Sequence, residues 1–329
     1  MEEKTDEVRS LNWLVAAGIL LAVAGLTWWI WLISTGGEPA TSLASVDRVT
    51  APDAAPQRET VPVATRAAVT VPSGDRRRVV LSEPVLFTDD LGTGSTEFSA
   101  VTLNEDTNRL MIADDEGQLF EFDVDDASLP IVPARRALVA QFDDRDIEGI
   151  SWVSGNTYVL AHEVTGRLSV VEIGETQTTV GESDVKRIID TQVRGIDGNG
   201  IEGVADVETI DDTEFIVVEE QPPRLILVDD DGAPTSSISL RLGVEDVSDV
   251  FASSDGTVWV VSDLGRVVVR LTIEADGTVR QLQQLDLVLA QGRFEQPEGL
   301  ALSRDGTRLY VVGESPGVGQ FTLGFWSLS

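Results

Sequence analysis

The tetrapeptide Ile147-Glu148-Gly149-Ile150 is one of five related stretches in the chain. The others are Phe98-Ser99-Ala100-Val101, Ile201-Glu202-Gly203-Val204, Val247-Ser248-Asp249-Val250 and Pro297-Glu298-Gly299-Leu300. Their second column reads Ser, Glu, Glu, Ser, Glu, at intervals of 49, 54, 46 and 50 residues. A period near 50 marks one supersecondary unit repeated in an array.

The second copy shows what the unit is. Glu148-Gly149-Ile150-Ser151-Trp152-Val153 reads as a strand, and Ser154-Gly155-Asn156 as a tight turn. Residues 157–161 give a second strand, 167–173 a third and 185–191 a fourth, with Thr165-Gly166 turning between the second and third. The first turns of the other repeats, at 104–108, 211–213, 253–256 and 303–306, use the Asp, Asn and Gly that hairpins require. Four short antiparallel strands per repeat describe a propeller blade, so the expectation is an all-β, five-bladed β-propeller over residues 79–329. The fifth repeat ends one strand short, while residues 78–86 form a strand without a blade. Joining the two closes the ring and removes two exposed edges. On this reading Val79-Val80-Leu81 pairs into the last blade.

In an antiparallel pair the start of one strand neighbours the end of the next. The second strands end in Asp115, Glu163, Glu220, Asp263 and Glu314, each 15 to 18 residues after the Ser/Glu column. Both columns should therefore gather at one face, around the channel mouth. Clustered carboxylates do not all stay ionised without a compensating cation. There is no cysteine, and His162 is the only histidine, so the available ligands are hard oxygens. Oxygen donors in five-fold array suit Ca²⁺ better than octahedral Mg²⁺. The expected metal ligands are Ser99, Glu148, Glu202, Ser248 and Glu298, with a rim of Asp115, Glu163, Glu220, Asp249, Asp263, Glu314 and His162. The structural alternative has Ser99 and Ser248 capping turns while the glutamates bond neighbouring backbone amides.

Composition narrows the function classes. Asp and Glu outnumber Lys and Arg 56 to 24, a formal net charge of -32. Nucleic acid is an unsuitable partner for such a surface. Cations, basic partners or a salty medium suit it. One histidine and no cysteine remove the HExxH zinc site and thiolate metal sites. No Walker A, dinucleotide fingerprint or G-x-S-x-G elbow is present. Asp229-Asp230-Asp231-Gly232 is a turn rather than a calcium loop, because the first and twelfth ligand positions would be Leu227 and Ile238. Basic residues near the expected channel face that could hold an anion include Arg145, Arg224, Arg266 and Arg293, each of which also reads as a solvated surface arginine.

Towards the N-terminus the texture changes. Residues 11–33 carry no charge and are long enough to span a bilayer, with Trp13 near one end and Trp28, Trp29 and Trp31 near the other. The run is long for a signal-peptide core, which favours an uncleaved anchor. Lys4 and Arg9 precede it, and the next basic residue is Arg48. That places the tail 1–10 in the cytoplasm and the bulk of the chain outside. Residues 34–78, rich in Ala, Thr, Val and Pro, read as a flexible tether reaching roughly 35–40 Å.

The five blade-start stretches, with Asp146 before Ile147, Gly200 before Ile201, Asp246 before Val247 and Gln296 before Pro297, resemble those of the SdiA-regulated (YjiK-like) family. The resemblance implies a five-bladed propeller anchored on the outer face of the inner membrane, in the periplasm, with calcium in its channel. Ala100 and Asp249 stand where that family usually has glycine. The Ser-Glu-Glu-Ser-Glu order is also similar to the calcium ring of calcium-activated nucleotidases (apyrases). That second likeness supplies an enzyme alternative, a Ca²⁺-dependent phosphohydrolase or esterase, to the first expectation of a ligand-binding or protein-interaction module. The hydrolase requires two or more arginines beside the metal. The binding module requires an apolar or aromatic patch at a channel mouth. A purely structural envelope protein requires neither.

Overall fold

The computed structural model describes residues 64–67, 75–80, 85–88, 97–124, 135–143, 145–193, 200–207, 214–274, 277–288, 296–313 and 320–327. All belong to one compact unit, residues 61–329. The expected tail 1–10 and anchor 11–33 lie outside the described residues. Among the described residues no helix is long and apolar enough to cross a membrane.

The repeats fold into five sheets. The innermost strands are Phe98–Asn104, Ile147–Ser154, Ile201–Asp206, Asp249–Ala252 and Pro297–Leu302. Each pairs antiparallel with the next strand in sequence. The first packs on the second, the second on the third, and so on, and the fifth packs on the first. The gaps between successive sheets are apolar. Leu138 and Leu160 meet between the first and second, and Phe215 and Ala161 between the second and third. Ile216 and Val260 meet between the third and fourth, and Trp259 and Leu309 between the fourth and fifth. Phe98 and Tyr310 close the gap from the fifth back to the first. The arrangement is all-β and propeller-like, its core divided among the gaps rather than pooled at a centre.

Glycine in the third motif column allows this packing. A Cβ on Gly149 would stand 2.8 Å from the Val204 nitrogen, and one on Gly299 would stand 2.8 Å from the Ala100 Cα. At Gly149, Gly203 and Gly299 the innermost strand therefore lies directly against the backbone of the next. The turns at 253–256 and 303–306 form as their composition requires. Asp255 and Asp305 accept the Thr257 and Thr307 amides at 3.0 Å, and Gly256 and Gly306 take positive φ of 79° and 65°.

The N-terminal pairing corrects two expectations. The last sheet gains its fourth strand from Val85–Thr88, antiparallel to Gln320–Ser327, and not from Val79-Val80-Leu81. Val79 and Val80 belong to Asp75–Val80, which adds parallel to the outer edge of the fourth sheet opposite Leu287 and Val288. Pro84 separates two short β-branched runs, and local pattern cannot say which of them reaches which edge. Ala64–Ala67 likewise adds parallel to the outer edge of the third sheet. Ala64–Ala67 and the first four residues of Asp75–Val80 fall inside the stretch expected as tether, because an open sheet edge pairs any extended segment that can reach it. Thr179–Gly181, between the third and fourth expected strands of the second repeat, does the same on the first sheet.

Candidate metal centre

The register places the Ser/Glu column in a special position. The pairing skips one residue between Phe98 and Ala100, between Ile147 and Gly149, between Ile201 and Gly203, and between Pro297 and Gly299. The extra residues are Ser99, Glu148, Glu202 and Glu298. Each is the bulged residue of its innermost strand, and a bulge re-aims a side chain that a regular ladder would direct into the sheet packing. In the fourth repeat Ser248 immediately precedes the strand, and its amide bonds the Val261 carbonyl at 3.0 Å. All five side chains line one cavity of about 300 Å³. Asp115, Glu163, Glu220 and Asp263 line it too. Glu314 lies outside the described residues.

Two residues expected at the rim lie elsewhere. Asp249 is 1 % exposed between the fourth and fifth innermost strands, where its carboxylate accepts the Leu300 amide at 2.9 Å and the Val250 amide at 2.7 Å. It occupies the gap that glycine leaves elsewhere in this column, and replaces close backbone contact with a hydrogen bond to the next strand. Burial pushes its carboxyl well above the usual range, opposed by those two amides. His162 points into the gap between the first and second sheets. Its ring stands edge-on to Phe142 at 5.0 Å, and its Nε2 is 2.9 Å from the Ser169 Oγ. Alternation along the strand sends neighbours to opposite sides, so Glu163 reaches the cavity and His162 does not.

Sequence reasoning missed Asp146, whose donor atoms lie with those of Glu148 and Glu163 within 4.8 Å of one another. It also missed Glu97 and Gln296, which line the cavity. The signal was the column just before the apolar residue, which reads Glu97, Asp146, Gly200, Asp246, Gln296. Asp246 closes a turn instead, accepting from the Ser262 hydroxyl at 2.7 Å and the Asp263 amide at 2.8 Å. Gly200 is glycine because a Cβ would stand 2.2 Å from the Glu163 carbonyl oxygen, and its amide donates to Glu163 Oε1 at 3.1 Å.

Electrostatics follow from this crowding. Burial pushes Glu148 well above the usual range, and the carboxylates of Glu202, Asp146, Asp115 and Glu163 add to it. Glu202 is pushed up to about 8 by burial and by Glu163 and Glu220. Glu163 is pushed up to about 7 by burial and its hydrogen bond with Asp146, and Asp115 to about 7 by burial and its hydrogen bond with Glu97. Burial also raises Glu220. The donor set fits a hard cation. Asp115 Oδ1 is buried without a hydrogen-bond partner. The Ser99 hydroxyl donates to the Ile147 carbonyl at 2.7 Å, which leaves its lone pairs available. Among the described residues no lysine or arginine lines the cavity. Arg224 is paired with Glu219.

A second cavity, of about 390 Å³, lies at the opposite ends of the innermost strands. Half-buried Trp152 and Phe251 line it, with Asp106, Asp206 and Arg304.

Fold and site together define an all-β, propeller-like protein with an acidic cavity ringed by its innermost strands. The family model described as SdiA-regulated matches residues 86–319, and the chain belongs to that family. No curated protein matches it in sequence. Among solved structures it is similar to Myxococcus xanthus glutaminyl cyclase, at 12 % identity and a TM-score of 0.50 over 78 % of this chain and 100 % of that one. It is also similar to the β-propeller domain of Cps50 (Swd1) from Myceliophteria thermophila, at 11 % identity and a TM-score of 0.45 over 76 % and 99 %. At such identity the likeness concerns the fold.

Proposed function

We propose that this chain is a membrane-tethered, extracytoplasmic binding protein. Its five sheets are the blades of one closed propeller, and a calcium ion in the channel organises the face it presents. The observation that carries the reading is the bulge. Four bulged residues and Ser248 bring Ser99, Glu148, Glu202, Ser248 and Glu298 into one cavity with four further carboxylates. The three glutamates would hold the ion, with the serine hydroxyls completing an oxygen shell. Bound there, Ca²⁺ would supply the charge compensation that no described lysine or arginine lining the cavity provides. The family's anchor position and the uncharged run 11–33 support a single-pass inner-membrane location with the propeller in the periplasm.

A binding role is favoured over phosphoester hydrolysis. Half-buried Trp152 and Phe251 line the cavity at the opposite ends of the innermost strands, and an aromatic surface there suits a binding module. The test is thermal unfolding of the full-length protein with chelator, Mg²⁺ or Ca²⁺ at fixed ionic strength. A rise in Tm that is selective for Ca²⁺ and absent from the Glu148→Gln/Glu202→Gln/Glu298→Gln variant is expected. An equal rise with any salt would mean that the acids serve salt adaptation.

A further inference from the structure

The gap between the first and second sheets contains a cavity that the channel does not explain. It has a volume of about 240 Å³, and His162 and Ser169 lie on its floor, 3 % and 4 % exposed. The position of His162 has a different use in other repeats. Asp114 accepts the Gln118 amide at 2.5 Å, Ser262 accepts the Gly265 amide at 2.9 Å, and Glu219 pairs with Arg224. In each case the side chain closes the turn after the second strand. His162 leaves its turn and reaches across to Ser169 on the third strand. The turn itself then displays Val164, 68 % exposed, and beyond it stands Ile188, 49 % exposed.

These residues give the cavity an apolar wall of Phe142, Val164 and Ile188. Its rim carries both signs of charge: the Arg167 guanidinium and the carboxylates of Asp143 and Glu182. All three charged residues are exposed. Arg167 stands across the ladder from Asp190 and, like Arg145, Arg241 and Arg266, forms no ion pair with a described residue, whereas Arg109, Arg135, Arg136, Arg187, Arg224, Arg270, Arg280 and Arg304 pair with carboxylates.

We propose that this cavity binds a small zwitterion with an apolar side chain, of the free apolar amino acid class. Arg167 meets the carboxylate, Asp143 and Glu182 meet the ammonium group, and the side chain lies against Phe142, Val164 and Ile188 above the His162–Ser169 pair. A simple apolar anion is disfavoured by the two rim carboxylates, and a simple amine by Arg167. The cavity is separate from the channel, so the proposal stands or falls independently of calcium.

The sole histidine makes the test direct, because its imidazole gives one set of NMR signals in the full-length protein. L-phenylalanine is expected to shift those signals saturably, with a dissociation constant on the order of 1 mM for a ligand of this size. 2-Phenylethylamine and 3-phenylpropanoate keep the ring and each lose one charge, and each should bind at least about tenfold more weakly. Arg167→Gln, at an exposed position, should weaken L-phenylalanine to a similar extent with no change in Tm. The proposal is overturned if the His162 signals do not move, if the three compounds bind alike, or if Arg167→Gln binds as the parent does.

Discussion

Asp249 is buried and Glu148 half-buried, and the two acids call for opposite treatment. The Asp249 carboxylate has two amide donors, and one of them, Leu300, belongs to the next sheet. Asp249→Ala leaves the Leu300 amide buried without that acceptor and should cost about 1–3 kcal/mol in urea unfolding. Asp249→Asn removes the buried charge but offers one acceptor oxygen to two amides that bond different oxygens of Asp249, so it should recover only part of that loss. Among the described residues Glu148 has no such donor, and four carboxylates act on it. Without calcium, Glu148→Gln should therefore stabilise the protein at pH 8, by about 1 kcal/mol or more, because it removes a charge that burial and its neighbours oppose. With calcium the same change should weaken metal binding. The reversal of sign, read by thermal unfolding with and without chelator, distinguishes a cation site from a turn cap.

At the scale of elements, closure depends on one short strand. Val85–Thr88 supplies the outer strand of the last sheet, in register Thr88 with Gln320 through Val85 with Leu323. Replacing these four residues with a Gly/Ser segment should lower Tm by roughly 4–8 °C, as expected for a loss of about 2 kcal/mol in a domain of this size. It should also increase aggregation, since the uncovered edge of Gln320–Ser327 becomes available to other chains. The same replacement at Ala64–Ala67 should have a smaller effect, because that strand is a fifth addition to a sheet that already has four. If both replacements acted equally, Val85–Thr88 would not be the closing strand.

For the whole molecule the decisive quantity is pH. The folded protein raises Asp115 and Glu163 to about 7 and Glu202 to about 8, against ordinary values of 3.8 and 4.5. A folded state that binds protons more tightly than the unfolded chain loses stability as pH rises. The contribution of these groups is fully present below their ordinary values. It declines as the pH climbs past them, and the loss is complete once the folded values near 7 and 8 are passed. The calcium-free protein should therefore show Tm falling from about pH 5 to about pH 8.5. Saturating Ca²⁺ should flatten that fall, with its largest gain at the alkaline end. A calcium-free profile that rose over this range would sink the assignment of these acids to one crowded cavity.

The sequence by itself determined the repeat, the strand pattern within it and the residue types that face the cavity. Those are local properties: turn chemistry at residues such as Asp255-Gly256, the short apolar run 158–161, and acids recurring at matched positions in successive units. The tertiary structure alone decided which of the neighbouring polar residues share a volume. Asp146 joins Glu148 and Glu163, while Asp246 in the same column turns away to cap Ser262 and Asp263. His162 and Glu163 part to opposite sides of one strand, and Asp249 leaves the rim for the gap beside Leu300. Tertiary structure also decided which N-terminal segment reached which sheet edge. A bulge, a gap between sheets and an open edge are each defined by two segments distant in the chain. Periodicity within either segment carries no record of the other.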